Sequence, residues 1–168
     1  MTERMTCVSA ADAADLVALL ADAVSAGASV GYYSPLDPAL AVAFWRGVAD
    51  AVTAGNRVLL VARDGGRIVG TVQLDLATKP TSTHRAEVMK LLVHTAHRGR
   101  GLGHALMTAA EATAGELGRT LLVLDARTGD PACRLYERLG YAVTGVVPRY
   151  AANSAGGRDD CTFYHRHL

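Results

Sequence analysis

The stretch Arg98-Gly99-Arg100-Gly101-Leu102-Gly103-His104 is built to hold an anion. Glycines lack Cβ and let successive amide N–H groups converge. A helix that starts here adds its own unpaired donors and the positive end of its dipole. A phosphorylated cofactor is the ligand that fits such a cradle. Two carboxylates stand where acid–base chemistry could be done. Asp125 follows the apolar run Thr120 to Leu124. A carboxylate closing such a strand is solvated, paired or functional, or else caps the turn into Thr128-Gly129. Glu87 lies early in the apolar segment 86–93, with the parity of Leu91 and Val93 and about 13 Å along the strand from Leu91. Taken by itself it is a solvated strand residue or a partner for Lys90 or Arg85. His94, His97 and His104 straddle the loop, and His165 and His167 alternate near the end; none carries a pattern that would support zinc, so no metal is expected.

These residues need elements to position them. Residues 5–9 read as a short first strand. Ser9 to Asp12 reads as a capping box that opens an Ala- and Leu-rich helix to about Ala26. Gly27 to Ser34 is a loop, and Asp37-Pro38 starts a second helix that runs to about Thr53. Val58 to Arg63 and Ile68 to Leu76, joined at Asp64-Gly65-Gly66, form the clearest hairpin. A polar loop, Thr78 to Thr83, precedes strand 86–93. The glycine loop follows, and then a helix from about His104 to Leu117, stopped by Gly118. Thr120 to Leu124 reads as a strand buried on both faces. Pro131 to Leu139 is a short helix, Tyr141 to Val147 a strand, Tyr150 to Asp160 a polar hairpin loop and Cys161 to His167 the last strand. The order β-α-α-β-β-β-α-β-α-β-β gives an α/β fold, a mixed sheet with helices on both faces. The unit 86–124 is a right-handed βαβ crossover with two parallel strands.

At 168 residues, half of them apolar, the chain is expected to make one domain, 1–168, with a real core. A net charge of +1 with no block of Lys or Arg argues against nucleic acid as the partner. Cys7, Cys133 and Cys161 are odd in number and widely spaced, which fits a reducing compartment better than disulfides or a zinc site. No apolar leader or membrane-length span is present, so a cytoplasmic protein without membrane association is expected. The glycine loop is not a P-loop, because no lysine follows it. Its glycines at 99, 101 and 103 also miss the dinucleotide spacing.

Arg98-x-x-Gly101-x-Gly103 matches the Gln/Arg-x-x-Gly-x-Gly/Ala signature of the GNAT acetyltransferase superfamily. Leu135-Tyr136-Glu137-Arg138-Leu139-Gly140-Tyr141 resembles the Leu-Tyr-x-x-x-Gly-Phe motif of the same families. More narrowly, Ala86-Glu87-Val88-Met89-Lys90-Leu91, Leu124-Asp125-Ala126-Arg127-Thr128-Gly129 and Phe163-Tyr164 look like the tabtoxin resistance group. The resemblance implies a mixed, mostly antiparallel sheet whose two central parallel strands part at their C-terminal ends, opening a crevice for acetyl-CoA. Its pyrophosphate would lie on the amides of Arg98, Gly99, Arg100, Gly101, Leu102, Gly103 and His104, with Arg98 and Arg100 adding charge. Backbone groups of Leu91, Leu92 and Val93 would bond the pantetheine arm. Many members carry Asn three residues before the alanine at position 132; this chain has Gly129, so that contact does not carry over.

Catalytic roles follow from the same resemblance. Tyr136 would face the cofactor sulfur and protonate the departing thiolate. Asp125, with Glu87 acting through a water or a reaching substrate, would serve the acceptor amine as base or binding group. Tyr32, Tyr33, Phe44 and Trp45 line the acceptor pocket or pack in the core. The expected function is transfer of acetyl from acetyl-CoA to a small-molecule amine or hydroxyl in a ternary complex, with a resistance role suggested by the subgroup. A non-catalytic acyl-CoA sensor and a peptide or protein N-terminal acetyltransferase are the alternatives. Dimers are common among similar proteins, so a homodimer is an assembly the resemblance allows.

Overall fold

The computed structural model describes residues 2–168. Its strands form one seven-stranded sheet in the order β1-β2-β3-β4-β5-β7-β6. The strands are β1 (Thr2–Met5), β2 (Arg57–Asp64), β3 (Arg67–Leu76), β4 (Arg85–Val93), β5 (Leu121–Arg127), β6 (Ala142–Ala152) and β7 (Arg158–His167). Helices α1 (Ala10–Ser25) and α2 (Pro38–Thr53) precede β2, α3 (Leu102–Glu116) joins β4 to β5, and α4 (Pro131–Arg138) follows β5. Every strand pair is antiparallel except β4 with β5, the two ends of the crossover.

The β-alternation sorts side chains into two cores. Val58, Leu60 and Ala62 of β2 pack with Leu106, Met107 and Ala110 of α3 and with Tyr136 of α4. Leu59 and Val61, facing the other way, pack with Leu16, Leu19 and Leu20 of α1 and Trp45 of α2. Helices therefore cover both faces, as the element order implies. Leu106 is fully buried, and its truncation to Ala would cost about 2–5 kcal/mol. The helix starts obey their caps. Ser9 Oγ accepts from Asp12 N while Asp12 Oδ2 accepts from Ser9 N, both at 3.1 Å. Asp37 Oδ1 accepts from Ala39 N at 2.8 Å, one residue past Pro38.

Several boundaries differ from the sequence expectation. The first strand is Thr2–Met5, not 5–9, because the Ser9 cap already belongs to α1 and only residues before it reach the β2 edge. Helix α3 begins at Leu102, two residues before His104. Strand β5 runs on to Arg127 by pairing with β7, so Asp125 lies inside a strand instead of closing one. Leu122 and Leu124 are buried, but Asp125 is exposed; one face of β5 opens where two-sided burial was expected. The segment 150–160 is mostly strand, because β6 and β7 form a longer hairpin. Asn153 Oδ1, accepting from Ala155 N and Gly157 N, closes its turn.

The sheet parts at its centre. Strands β4 and β5 share only the pairs Arg85–Leu121, Ala86–Leu122 and Glu87–Val123. Beyond Glu87, β4 carries a bulge. Gln73 pairs with Met89 and Thr71 with Leu92, so Lys90 and Leu91 together oppose Val72. Lys90 adopts φ +50°, a left-handed conformation costly for a side chain with Cβ, and its carbonyl accepts from Thr71 Oγ1 at 3.1 Å. The extra residue reverses the alternation. Ala86, Val88, Leu91 and Val93 all meet the α3 core, whereas Leu92 turns to the α1 core. Glu87 and Leu91 therefore face opposite sides, contrary to the shared parity read from the sequence.

Candidate active site

The parted strands open a crevice of about 750 Å³ walled by β4, β5, the α1–α2 loop, the start of α3 and one side of α4. Its ends differ in construction. At the first, Gly99 and Gly101 take φ +74° and +80°, and Gly101 is the N-cap of α3. The amide of Arg98 is engaged by Thr95 O at 3.3 Å, and the next amide with a backbone acceptor is Ala105, on Gly101 O at 3.0 Å. Among the described residues, the amides from Gly99 through His104 have no backbone acceptor and lie at a helix N-terminus. That row suits a pyrophosphate. Gly103 also brings α3 against α4, since a Cβ there would stand 3.3 Å from Leu135 Cδ2.

Arg98, Gly99, Gly101, Leu102 and Gly103 line the crevice, while Arg100 and His104 do not. Arg98 folds back, its Nε donating to Val93 O at 3.1 Å, so its guanidinium secures the end of β4. Leu91, Leu92 and Val93 line the adjoining wall. The segment before the loop is pinned from both sides. Thr95 N and Oγ1 donate to Asp22 at 2.8 and 2.7 Å, and His97 Nε2 lies 3.2 Å from Asp64 Oδ2. Asp22 and Asp64 position the loop, yet nothing in their local sequence marks them. Among the described residues, no group of three His, Cys, Asp or Glu side chains could hold a metal ion.

Tyr136 comes from α4, on the α3 side of the sheet. Its ring is 6% exposed, packed between Tyr141 and Tyr164 at centroid distances of 5.9 and 5.7 Å. It lines the crevice, and burial pushes its hydroxyl pKa well above the ordinary phenol value. A neutral, proton-bearing hydroxyl therefore sits inside the gap.

Glu87 and Asp125 reach the gap from the opposite side. Glu87 pairs with Val123, two residues before Asp125, so both carboxylates share the face covered by α1 and α2. Both are open to the crevice but walled by protein, and this burial raises both carboxyls above their ordinary range. The Asp125 charge raises Glu87 further, while Lys90 pulls Asp125 down. Lys90, itself a crevice residue, has Nζ 5.7 Å from the Phe44 ring centroid. In the sequence Lys90 reads only as a partner for Glu87; the signal lies in the bulge, which a sequence does not display.

The four aromatic residues expected at an acceptor pocket separate from one another. Trp45 is core, Phe44 underlies Lys90 while packing at 4.9 Å on Trp45 and 5.9 Å on Tyr32, and Tyr33 is exposed. None of Tyr32, Tyr33, Phe44 and Trp45 lines the crevice, whereas Tyr150 of β6 does.

The chain and its fold are similar to known proteins. Residues 27–141 match the model of the acetyltransferase (GNAT) family. An uncharacterized N-acetyltransferase from the hisH-hisA intergenic region of Azospirillum brasilense is 31% identical over 130 residues, 74% of each chain. The fold superposes on ribosomal-protein-alanine N-acetyltransferase from Brucella melitensis with TM-score 0.84 at 20% identity, covering 100% of this chain and 99% of that one. It superposes on yncA from Salmonella typhimurium, determined with its cofactor acetyl-CoA, with TM-score 0.81 at 23% identity, over 100% and 94% of the two chains. The chain thus belongs to the acetyltransferase (GNAT) family and is an N-acetyltransferase, with acetyl-CoA, the donor of that family, as its cofactor.

Proposed function

We propose that the chain transfers acetyl from acetyl-CoA directly to the amine of a small molecule, both bound together in the crevice. The carrying observation is the placement of groups across the parted sheet: open amides at one end, Tyr136 on one face, and Glu87 with Asp125 on the other. The amides of Gly99 to His104 hold the pyrophosphate, and the wall at Leu91 to Val93 carries the pantetheine arm. Acetyl-CoA supplies the acetyl group as a thioester, whose C–S bond breaks as the C–N bond forms. An acceptor amine arrives as an ammonium ion with pKa about 10. Glu87 and Asp125 attract it and together take its proton; burial lifts both carboxyls toward the pH at which that base must work. Tyr136 gives its hydroxyl proton to the sulfur and regains one from solvent. The burial that keeps Tyr136 protonated also penalises a thiolate beside it, so donor and acceptor of that proton rise together.

Residues 1–168 act as one acetyltransferase domain on this view, working in the cytoplasm. The likeness of Ala86 to Leu91 and Leu124 to Gly129 to the tabtoxin resistance group supports a resistance role. The exposed edge strand β6, with Val143, Val146 and Val147 at its surface, supports a homodimer. The decisive experiment incubates pure protein with acetyl-CoA and a panel of small amines, hydroxyl compounds and peptides while free thiol is monitored. Turnover with a small amine is expected. Tight acetyl-CoA binding without turnover on any acceptor would sink the proposal, and turnover confined to peptides would redirect it.

A further inference from the structure

The cations around the crevice are nearly all committed. Arg127 is held by Asp130 at 2.9 Å and Asp159 at 3.5 Å, and Arg57 by Asp75 at 2.7 Å. Arg98 folds onto Val93 O at the donor end. Lys90 is different. Its side chain is half-buried in the crevice wall, with Nζ over the Phe44 ring and 4.0 Å from where a Cβ on Gly31 would stand. Its ammonium forms no salt bridge or hydrogen bond with any described residue. Glu87 and Asp125 line the same crevice and feel its charge, but neither closes onto it. The bulge explains why the pair stays open. With φ +50° and its carbonyl bound to Thr71 Oγ1, the Lys90 backbone is fixed, and its ammonium stands beside Gly31 of the α1–α2 loop without closing an ion pair to either carboxylate. A partly desolvated ammonium without an anion is a cost that a ligand can relieve. The same holds for two carboxylates that share one cation.

We infer that Lys90 binds an acidic group of the acceptor, and that the acceptor is therefore a zwitterion, an amino acid bearing a free carboxylate beside its amine. This rests on the acetyl-transfer reading above and names its substrate class. The ammonium goes to Glu87 and Asp125, and the carboxylate goes to Lys90. A simple alkylamine satisfies the carboxylates but leaves Lys90 unpaired. A polyamine sets a second cation against Lys90. A peptide N-terminus has its nearest carboxyl converted to an amide, which offers Lys90 no charge. Of these classes only the free amino acid pairs every group.

The test uses the twenty L-amino acids, their amides and the corresponding decarboxylated amines. Each is titrated calorimetrically into the protein loaded with CoA, and separately assayed by thiol release with acetyl-CoA. Free acids are expected to bind and react about tenfold or more better than their amides. Lys90→Gln should bring that ratio close to one, and Lys90→Arg should keep most of it. Amides or alkylamines that match the acids, a preference that survives in Lys90→Gln, or no binding by any of the acids would each overturn the inference. Failure of the underlying reading looks different: Lys90-dependent binding of acids without thiol release keeps the zwitterion site and removes acetyl transfer. Conversely, thiol release on alkylamines or peptides with no carboxylate preference keeps the transfer and removes the zwitterion.

Discussion

The two ends of the crevice are made of different material. The end proposed for the donor is backbone: amides from Gly99 to His104 aligned by glycines in the left-handed region and by the start of α3. The end proposed for the acceptor is side chain: Glu87, Asp125 and Lys90, carried by the two strands that part and by the bulge in one of them. Backbone donors do not titrate and are fixed when the fold forms, which suits a pyrophosphate that is the same in every turnover. Side-chain charges can be exchanged one residue at a time without disturbing the loop. A single scaffold can thus keep its donor and change its acceptor.

The largest effect expected from breaking this contrast is at Gly101. Gly101→Val forces a β-branched residue to φ +80° at the N-cap of α3, a conformation that costs about 1–2 kcal/mol even for unbranched residues. Relief of that strain turns the neighbouring amides away, and two lost charge-assisted bonds of about 1.5–3 kcal/mol each weaken acetyl-CoA by roughly 100-fold or more. Calorimetry with acetyl-CoA measures this directly. Arg98→Ala is the matched side-chain change and should cost less, since the Nε of Arg98 is on Val93 O. If Arg98→Ala were the more damaging of the two, the donor end would be side-chain built after all.

Tyr136→Phe comes next and probes the seam between the two ends. The ring stays packed among Tyr141 and Tyr164, so stability and acetyl-CoA affinity should hold within about twofold. Loss of the proton donor should lower kcat by about 100-fold. An unchanged kcat in stopped-flow thiol release would remove Tyr136 from the chemistry and leave it as core.

The donor end was the legible one, for a physical reason. Glycine spacing, a preceding apolar strand and a following helix are local features, and Arg98-x-x-Gly101-x-Gly103 carries them within a few residues. The order of elements and the capping at Ser9 and Asp37 are equally local, and the structure keeps them. The acceptor end depends on pairing between distant strands. The bulge opposite Val72 shows in neither β3 nor β4 alone, yet it puts Glu87 and Leu91 on different faces and leaves Lys90 without a partner. The length of β5, which decides how Asp125 is presented, is set by β7 some forty residues later through pairs such as Asp125–Phe163. Asp22 and Asp64 hold the loop from elements far away in sequence, and only the folded chain brings them there.

The smallest expected effect separates the carboxylates from each other. Burial and the Asp125 charge both raise Glu87, so the acid limb of kcat/KM should lie above the ordinary carboxylate range. Asp125→Asn removes the charge that raises Glu87, and the limb that remains should move to lower pH. Glu87→Gln leaves Asp125 raised by burial, so its limb should stay near the wild-type position. Stability should respond with the opposite sign to activity. A carboxyl whose folded pKa lies above its unfolded value favours the folded state while protonated and loses that advantage as pH rises through the folded pKa. Above its folded pKa Glu87 is charged and disfavoured, so at alkaline pH Glu87→Gln should raise the melting midpoint by about 1 °C, a small gain because the group is open to solvent. Near pH 4 the wild-type carboxyl is protonated and the two proteins should melt together. A Glu87→Gln protein that melted lower at alkaline pH would mean that the acceptor-end charges stabilise the fold, and the contrast between a structural donor end and a proposed functional acceptor end would fail there.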